Sequence, residues 1–161
     1  MKKAEKLARE MFSPDDLEAI QNAIKTFELR TSGEIVVSFN TSSAGQPYKT
    51  ARRIFAKHNL HKTRERNATL IVLYPREQKF AVVGDEGIHA RVPENFWDDV
   101  VAEMTQHFQA GDMRTGLVKG INRLGEKLAE YFPYQADDVN EISNDFRFEG
   151  DSDSGSADKQ E

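Results

Sequence analysis

Apolar positions recur along this chain with two different periods. Leu17, Ile20, Ile24 and Phe27 repeat at helical spacing. Ahead of them, Ser13 can cap, Pro14 suits a first helical position, and Asp15 and Asp16 favour the positive end of the dipole. A helix is predicted there, preceded by a shorter charged helix over Lys3 to Met11. After a break at Thr31-Ser32-Gly33, Glu34 to Phe39 is β-branched and predicts a strand. Asn40 to Pro47 is a polar loop. Tyr48 to His58 reads as a helix with Ala51, Ile54 and Phe55 facing inward.

The run Ala68 to Tyr74 is almost continuously apolar, as a strand buried on both faces requires. Pro75 to Gln78 makes a tight connection, and Lys79 to Val83 returns as the second arm of a hairpin. Gly84-Asp85-Glu86-Gly87 ends that arm. Pro93 opens a helix with Trp97, Val100, Val101, Met104 and Phe108 inward, and Gly111 stops it. Asp112 is placed to cap the next helix, which turns Leu117, Ile121, Leu124 and Leu128 to the core. Gly116 and Gly120 let that helix approach the sheet or the Trp97 helix closely. Trp97, Phe80 and Phe108 are expected in the core.

A strand joined to the next through a helix predicts a parallel pair, and the hairpin adds an antiparallel third strand. The expected fold is α/β, a small mixed sheet sandwiched between helices. Residues 1–12 form a helical extension, 13–135 the domain, and 136–161 an acidic tail expected to be largely disordered, above all Asp151 to Glu161.

Composition narrows the functional classes. The chain has 161 residues, 38% apolar and 30% charged, enough for one domain with a core. It has no cysteine, which excludes disulfides, thiolate metal sites and a cysteine nucleophile. The first residues are charged, and no apolar run reaches the length of a membrane span, so the expected setting is cytoplasmic with no membrane partner. The net charge of −5 conceals two parts. From Asp137 onward there are nine acids and two bases, net −7, which leaves the body at +2. Between Lys49 and Arg66, seven bases face Glu65 alone. Such a segment suits an anion, an acidic protein partner or the chain's own acidic tail, although a solvated helix face is the commoner explanation. A barely positive body without interleaved aromatics argues against nucleic acid.

Four segments, in this order, carry a resemblance: RTSGEIVVSF, NATLIVLY, KFAVVGDEGIHARVPENFWDDVV and FQAGDMRTGLVKGINRLGEKLAEYFP. Together they resemble the landmarks of the TPM domain family over roughly residues 13–132. That family includes a thylakoid lumen protein, a photosystem II repair protein and a modulator of acetylcholine receptors. The extension YFPYQADDVNEISNDF is similar to that of short, unanchored bacterial members. The resemblance implies a Rossmann-like three-layer α/β/α sandwich. It also implies calcium binding, attributed to some members, and weak acid phosphatase activity, attributed to a plant member.

Topology supplies a site independently. The starts of the first two strands and the end of the third share one rim, bringing Glu34, Asn67 and Gly84-Asp85-Glu86-Gly87 together. Asp137 and Asp138 are expected nearby, so five carboxylates (Glu34, Asp85, Glu86, Asp137, Asp138) converge on a place where Ca²⁺ or Mg²⁺ can bind. The competing reading makes Asp85 and Glu86 turn residues and pairs Glu34 with a lysine or arginine. The opposite rim, with residues 40–46, the 75–78 turn and Asp112, is a secondary site for a weak cation or phosphate; helix capping is the competing role for Asp112. His58, His61, His89 and His107 lack metal-ligand spacing, and no nucleophile elbow, phosphate loop or dinucleotide fingerprint is present. The expected function is a non-enzymatic module binding a divalent cation and a protein partner, through the basic segment or the acidic tail. The alternative is a metal-assisted phosphatase.

Overall fold

The apolar run at 68–74 becomes the strand around which the rest is layered. In the computed structural model, which describes residues 2–134, 142 and 145–150, that run is β2 (Ala68–Tyr74). It pairs in parallel with β1 (Glu34–Asn40) and antiparallel with β3 (Lys79–Gly84). A fourth strand, β4 (Arg147–Glu149), lies parallel to β1 on its other side, giving the order β3-β2-β1-β4. The crossover from β1 to β2 contains α3 (Pro47–Lys57).

Alternate side chains leave a sheet on opposite faces. Ile35, Val37, Phe39, Ile71, Leu73 and Val82 enter one core, shared with α1 (Lys3–Met11), α2 (Pro14–Thr26), α5 (Phe96–Gln109) and α6 (Met113–Tyr131). Val36, Leu70, Val72, Tyr74, Ala81 and Val83 enter the other, against Ala51, Ile54 and Phe55 of α3. The result is the expected mixed sheet between helical layers. A one-turn helix, α4 (Glu86–His89), follows β3.

The capping signals act as their chemistry suggests. Ser13 Oγ accepts from the Asp16 N–H at 3.0 Å while Asp16 accepts from the Ser13 N–H at 3.1 Å. Asp112 accepts from the Thr115 N–H at 3.1 Å at the start of α6. On α6, Gly116 and Gly120 face Phe108 and Met104, so the close approach is to α5.

Several expectations need correction. Val101 is 39% exposed: Val100 and Met104, one turn apart, take the inner face of α5, and Val101 is turned about 100° round the helix from Val100. Trp97, Phe80 and Phe108 pack against the core but stay partly exposed. The helix expected from Pro93 begins at Phe96, after a turn closed by the Phe96 N–H on the Pro93 carbonyl.

β4 is the largest departure, because residues 147–149 were expected in the acidic tail. Two alternating aromatics hold it. Phe148 stacks on Phe39 with centroids 5.7 Å apart, and Phe146 meets the same ring edge-on. On the opposite face, Glu149 accepts from Lys57 Nζ at 3.0 Å and from His58 Nε2. One acid of the tail thus does dock on the basic segment. The disorder expected over Asp151 to Glu161 falls outside the described residues.

Burial pushes the Glu149 carboxyl up, but His58 and Lys57 outweigh it and bring its pKa from 4.5 down to about 2. A carboxyl whose folded pKa is depressed stabilises the fold above its unfolded pKa and loses that contribution as pH falls through the folded value. Glu149→Gln, which mimics the protonated acid, is therefore expected to cost up to about 3 kcal/mol at neutral pH. The gap to the wild type should close between pH 4.5 and about 2 in thermal or urea unfolding.

Candidate functional site

Strand register builds the amino-end rim. Glu34 lies beside Ala68, and Thr69 beside Gly84, so the starts of β1 and β2 and the end of β3 do stand together. Asp85 caps α4, its Oδ1 accepting from the Glu86 N–H at 2.8 Å. Arg66, just before β2, grips the same carboxylate with both sides of its guanidinium. Nε donates to Oδ2 at 2.7 Å and Nη2 to Oδ1 at 2.8 Å, while Nη1 reaches Glu86 at 3.1 Å. Its hydrogen bonds to Asp85 raise the Arg66 pKa above the ordinary value.

The backbone holds this pair as firmly as the side chains do. Arg66 sits at φ +54°, a left-handed conformation uncommon for a residue with a side chain, and its carbonyl accepts from the Gly87 N–H at 2.9 Å. A Cβ on Gly87 would stand 2.2 Å from the Glu65 carbonyl oxygen and 2.6 Å from that of Arg66.

The five expected carboxylates do not form an open cluster among the described residues. Asp85 is saturated by Arg66 and the α4 N-terminus, and Glu86 shares the same guanidinium. Glu34 is buried at the start of β1 and is already engaged. Asp137 and Asp138 lie outside the described residues. Asp112, the secondary candidate, accepts from the N–H and hydroxyl of Thr115 and is a helix cap. No three histidines or acids among the described residues are grouped to hold a metal. The positive charge that the clustered acids demand comes from Arg66. Hairpin register could have revealed this, since Arg66 and Asp85 flank facing ends of β2 and β3.

Two buried polar atoms at this rim, Asn67 Oδ1 and Thr69 Oγ1, lack a partner among the described residues. Asn67 is 1% exposed. Its amide donates to Ser32 Oγ at 3.3 Å, but its Oδ1 meets no hydrogen-bond donor.

The seven bases of the 49–66 segment separate into satisfied and open groups. Lys57 is held by Glu149, Arg66 by Asp85 and Glu86, Arg53 donates to Thr50, and Arg64 is engaged. Arg52, like Lys49 and Lys62, has no ion-pair partner among the described residues, and it stands one turn from Tyr48, which is 50% exposed. Both edge a cleft of about 560 Å³ that runs over α3 to the rim and is also lined by His61, Arg66, Glu86 and His89. His89 accepts at Nδ1 from the Trp97 indole N–H at 3.2 Å. Tyr48 was not singled out in the sequence; its spacing of four from Arg52 on a helix was the available signal.

The opposite rim uses its polar groups internally. Glu77 accepts from the Ser43 N–H at 2.9 Å and from the Ser43 hydroxyl, which hold its carboxyl below the usual range. Beside this rim a groove of about 820 Å³ has an apolar floor that includes Leu7, Met11, Phe80 and Phe108. Among the described residues, no helix is long and apolar enough to cross a membrane.

A mixed sheet between helical layers, with an arginine-clamped acidic rim at its amino end, defines a three-layer α/β domain. The chain matches the TPM domain over residues 8–127, and it belongs to the TPM domain family. The BA42 protein of the psychrophilic bacterium Bizionia argentinensis, solved by NMR, is 32% identical with a TM-score of 0.79; the match covers 85% of this chain and 94% of that one. The N-terminal domain of a protein from P. gingivalis, solved by NMR, is 16% identical, TM-score 0.63, over 78% of this chain and 83% of its own. The N-terminal domain of cg2496 from Corynebacterium glutamicum is 15% identical, TM-score 0.57, over 84% and 79%. The last two share the fold alone. No curated protein matches the chain.

Gly87→Ala is expected to lower stability by about 1–3 kcal/mol in urea unfolding, because its new methyl meets backbone that cannot turn aside. Gly120→Ala, which meets only the thioether end of Met104, should cost less.

Proposed function

We propose that this chain is a TPM-type binding module, not an enzyme, which recognises an acidic segment of a protein partner through the Tyr48–Arg52 cleft. The observation that carries this reading is an uncompensated arginine beside an exposed tyrosine at the edge of a concave surface. Arginine and tyrosine are the residue types that dominate binding energy at protein interfaces. Arg66, the other arginine lining the cleft, is held by Asp85 and Glu86, so Arg52 carries the unpaired charge there. A photo-crosslinking amino acid at position 48, introduced in cells, tests it. Crosslinked peptides should be net acidic, and Arg52→Glu should reduce their yield at least about tenfold. Basic or uncharged partners, or a yield indifferent to Arg52, would refute the reading.

A second reading, a site for Ca²⁺ or Mg²⁺, is favoured by one observation: the buried Asn67 Oδ1 without a donor, on the rim where β1 begins with Glu34. A hard cation takes oxygen ligands of this kind. Asp85 would not contribute, being held by Arg66. Calorimetric titration of calcium into chelator-treated protein should then give heat that Asn67→Ala abolishes. Absence of heat and of any thermal shift at millimolar calcium would remove the cation. Hydrolysis of an aryl phosphate that disappears in the same variant would instead identify the metal-assisted phosphatase.

A further inference from the structure

β4 occupies a seat that reads most of the side chains placed in it. Its ladder to β1 is only three residues long: Arg147, Phe148 and Glu149 against Ser38, Phe39 and Asn40. The Thr41 N–H closes it on the Glu149 carbonyl at 3.2 Å. On one face, Phe39 receives two rings, Phe148 stacked at an interplanar angle of 15° and Phe146 edge-on at 81°. Behind Phe39, Phe12 of the segment after α1 completes an aromatic wall. On the other face, Lys57 and His58 at the end of α3 converge on the Glu149 carboxylate. At the exit, Gly150 adopts φ +112°, and a Cβ there would stand 2.0 Å from Thr41 Oγ1. Only glycine meets both conditions.

Four of five successive positions are therefore specified, in the order aromatic, any, aromatic, acid, glycine. This is how strand addition works as a recognition mode. Main-chain bonds give affinity, alternate side chains give specificity. Three rungs are a small ladder, and the segment carrying them is attached to the domain by the chain itself. Attachment supplies a high effective concentration, which keeps a weak ligand in place.

We propose that the β1 edge at Ser38–Asn40 is a recognition site for an extended segment of a partner protein with the pattern Phe-x-Phe-Glu-Gly, and that β4 is its tethered, displaceable occupant. Such an exchange leaves the two cores intact, because β4 packs at the end of the sheet order. It is separate from the Tyr48–Arg52 cleft and stands without it.

Two measurements on the full chain test this. In native-state hydrogen exchange, the Thr41 amide should exchange at least about a hundredfold faster than the β2 amides, through local opening of β4. Equal protection would mean that β4 opens only with global unfolding, and would overturn the proposal. The second uses an acetylated, amidated peptide with the sequence of residues 145–150. It should bind Phe148→Ala at least about tenfold more tightly than it binds the wild type, whose own strand competes. Chemical-shift changes should centre on residues 38–41 and on Lys57 and His58. Replacing the second phenylalanine of the peptide by alanine should abolish binding. Equal affinity for wild type and variant, or none for the folded variant at about 1 mM peptide, would overturn the proposal. If Phe148→Ala does not fold, the exchange measurement on the wild type decides. A concentration-dependent dimer that the peptide disperses would support the seat and identify the partner as a second copy of this chain.

Discussion

A strand that water does not reach governs the architecture. All seven residues of β2 are buried, and its core side chains are 0% exposed on both faces. A backbone so placed must have every polar group paired, which demands a neighbour on each side. β1 and β3 supply those neighbours. Apolar side chains on both faces then demand two helical layers. The crossover helix α3 covers one, and α1, α2, α5 and α6 share the other. Position and register of the rims follow from this arrangement, since the strand ends are fixed by the pairing of the strand between them.

The same constraint explains the acidic rim. Bringing the ends of three strands together places Glu34, Asp85 and Glu86 within one region where their charges repel. Proteins relieve such a cluster with a cation or with a base. Here Arg66 provides two parallel hydrogen bonds to Asp85 and a third to Glu86, and the chain accepts a left-handed backbone at that residue to place it. The pair ties the loop before β2 to the helix after β3, so the acids act first as a clamp on the hairpin's open end. An acidic cluster read from topology alone counts carboxylates correctly and says nothing of the guanidinium that answers them.

Much of the fold was legible because it depends on short-range signals. Ser13 to Asp16 reads as a capping box, Asp112 as a cap, and 68–74 as a doubly buried strand; each reports local chemistry that tertiary contacts reinforce. The rim at the β1 start was legible from connectivity. What was not legible depends on partners remote in sequence. β4 is three residues long and sits among acids, so composition hides it; Phe146 and Phe148, two apart, were its only period-two signal, and their meaning depends on Phe39. Arg66 lies in a run of bases, none of which differs from its neighbours until the hairpin register selects one. Val101 is adjacent to a buried valine, and only the exact rotation of α5 separates inside from outside.

Helix α3 shows how satisfied and unsatisfied charges divide function from structure on one element. Its apolar side, Ala51, Ile54 and Phe55, belongs to the core. At its end, Lys57 and the capping His58 hold Glu149, and that contact joins a remote part of the chain to the sheet. The remaining side carries Tyr48 and Arg52, which hold nothing within the described protein. A base matched by an internal acid contributes to stability and is silent toward partners, because its field is already cancelled at short range. An unmatched base beside an aromatic ring is the reverse: it adds little to the fold and keeps its field for a ligand. Net charge along the segment cannot distinguish the two, and for that reason a count of seven bases does not tell which of them keep their charge open.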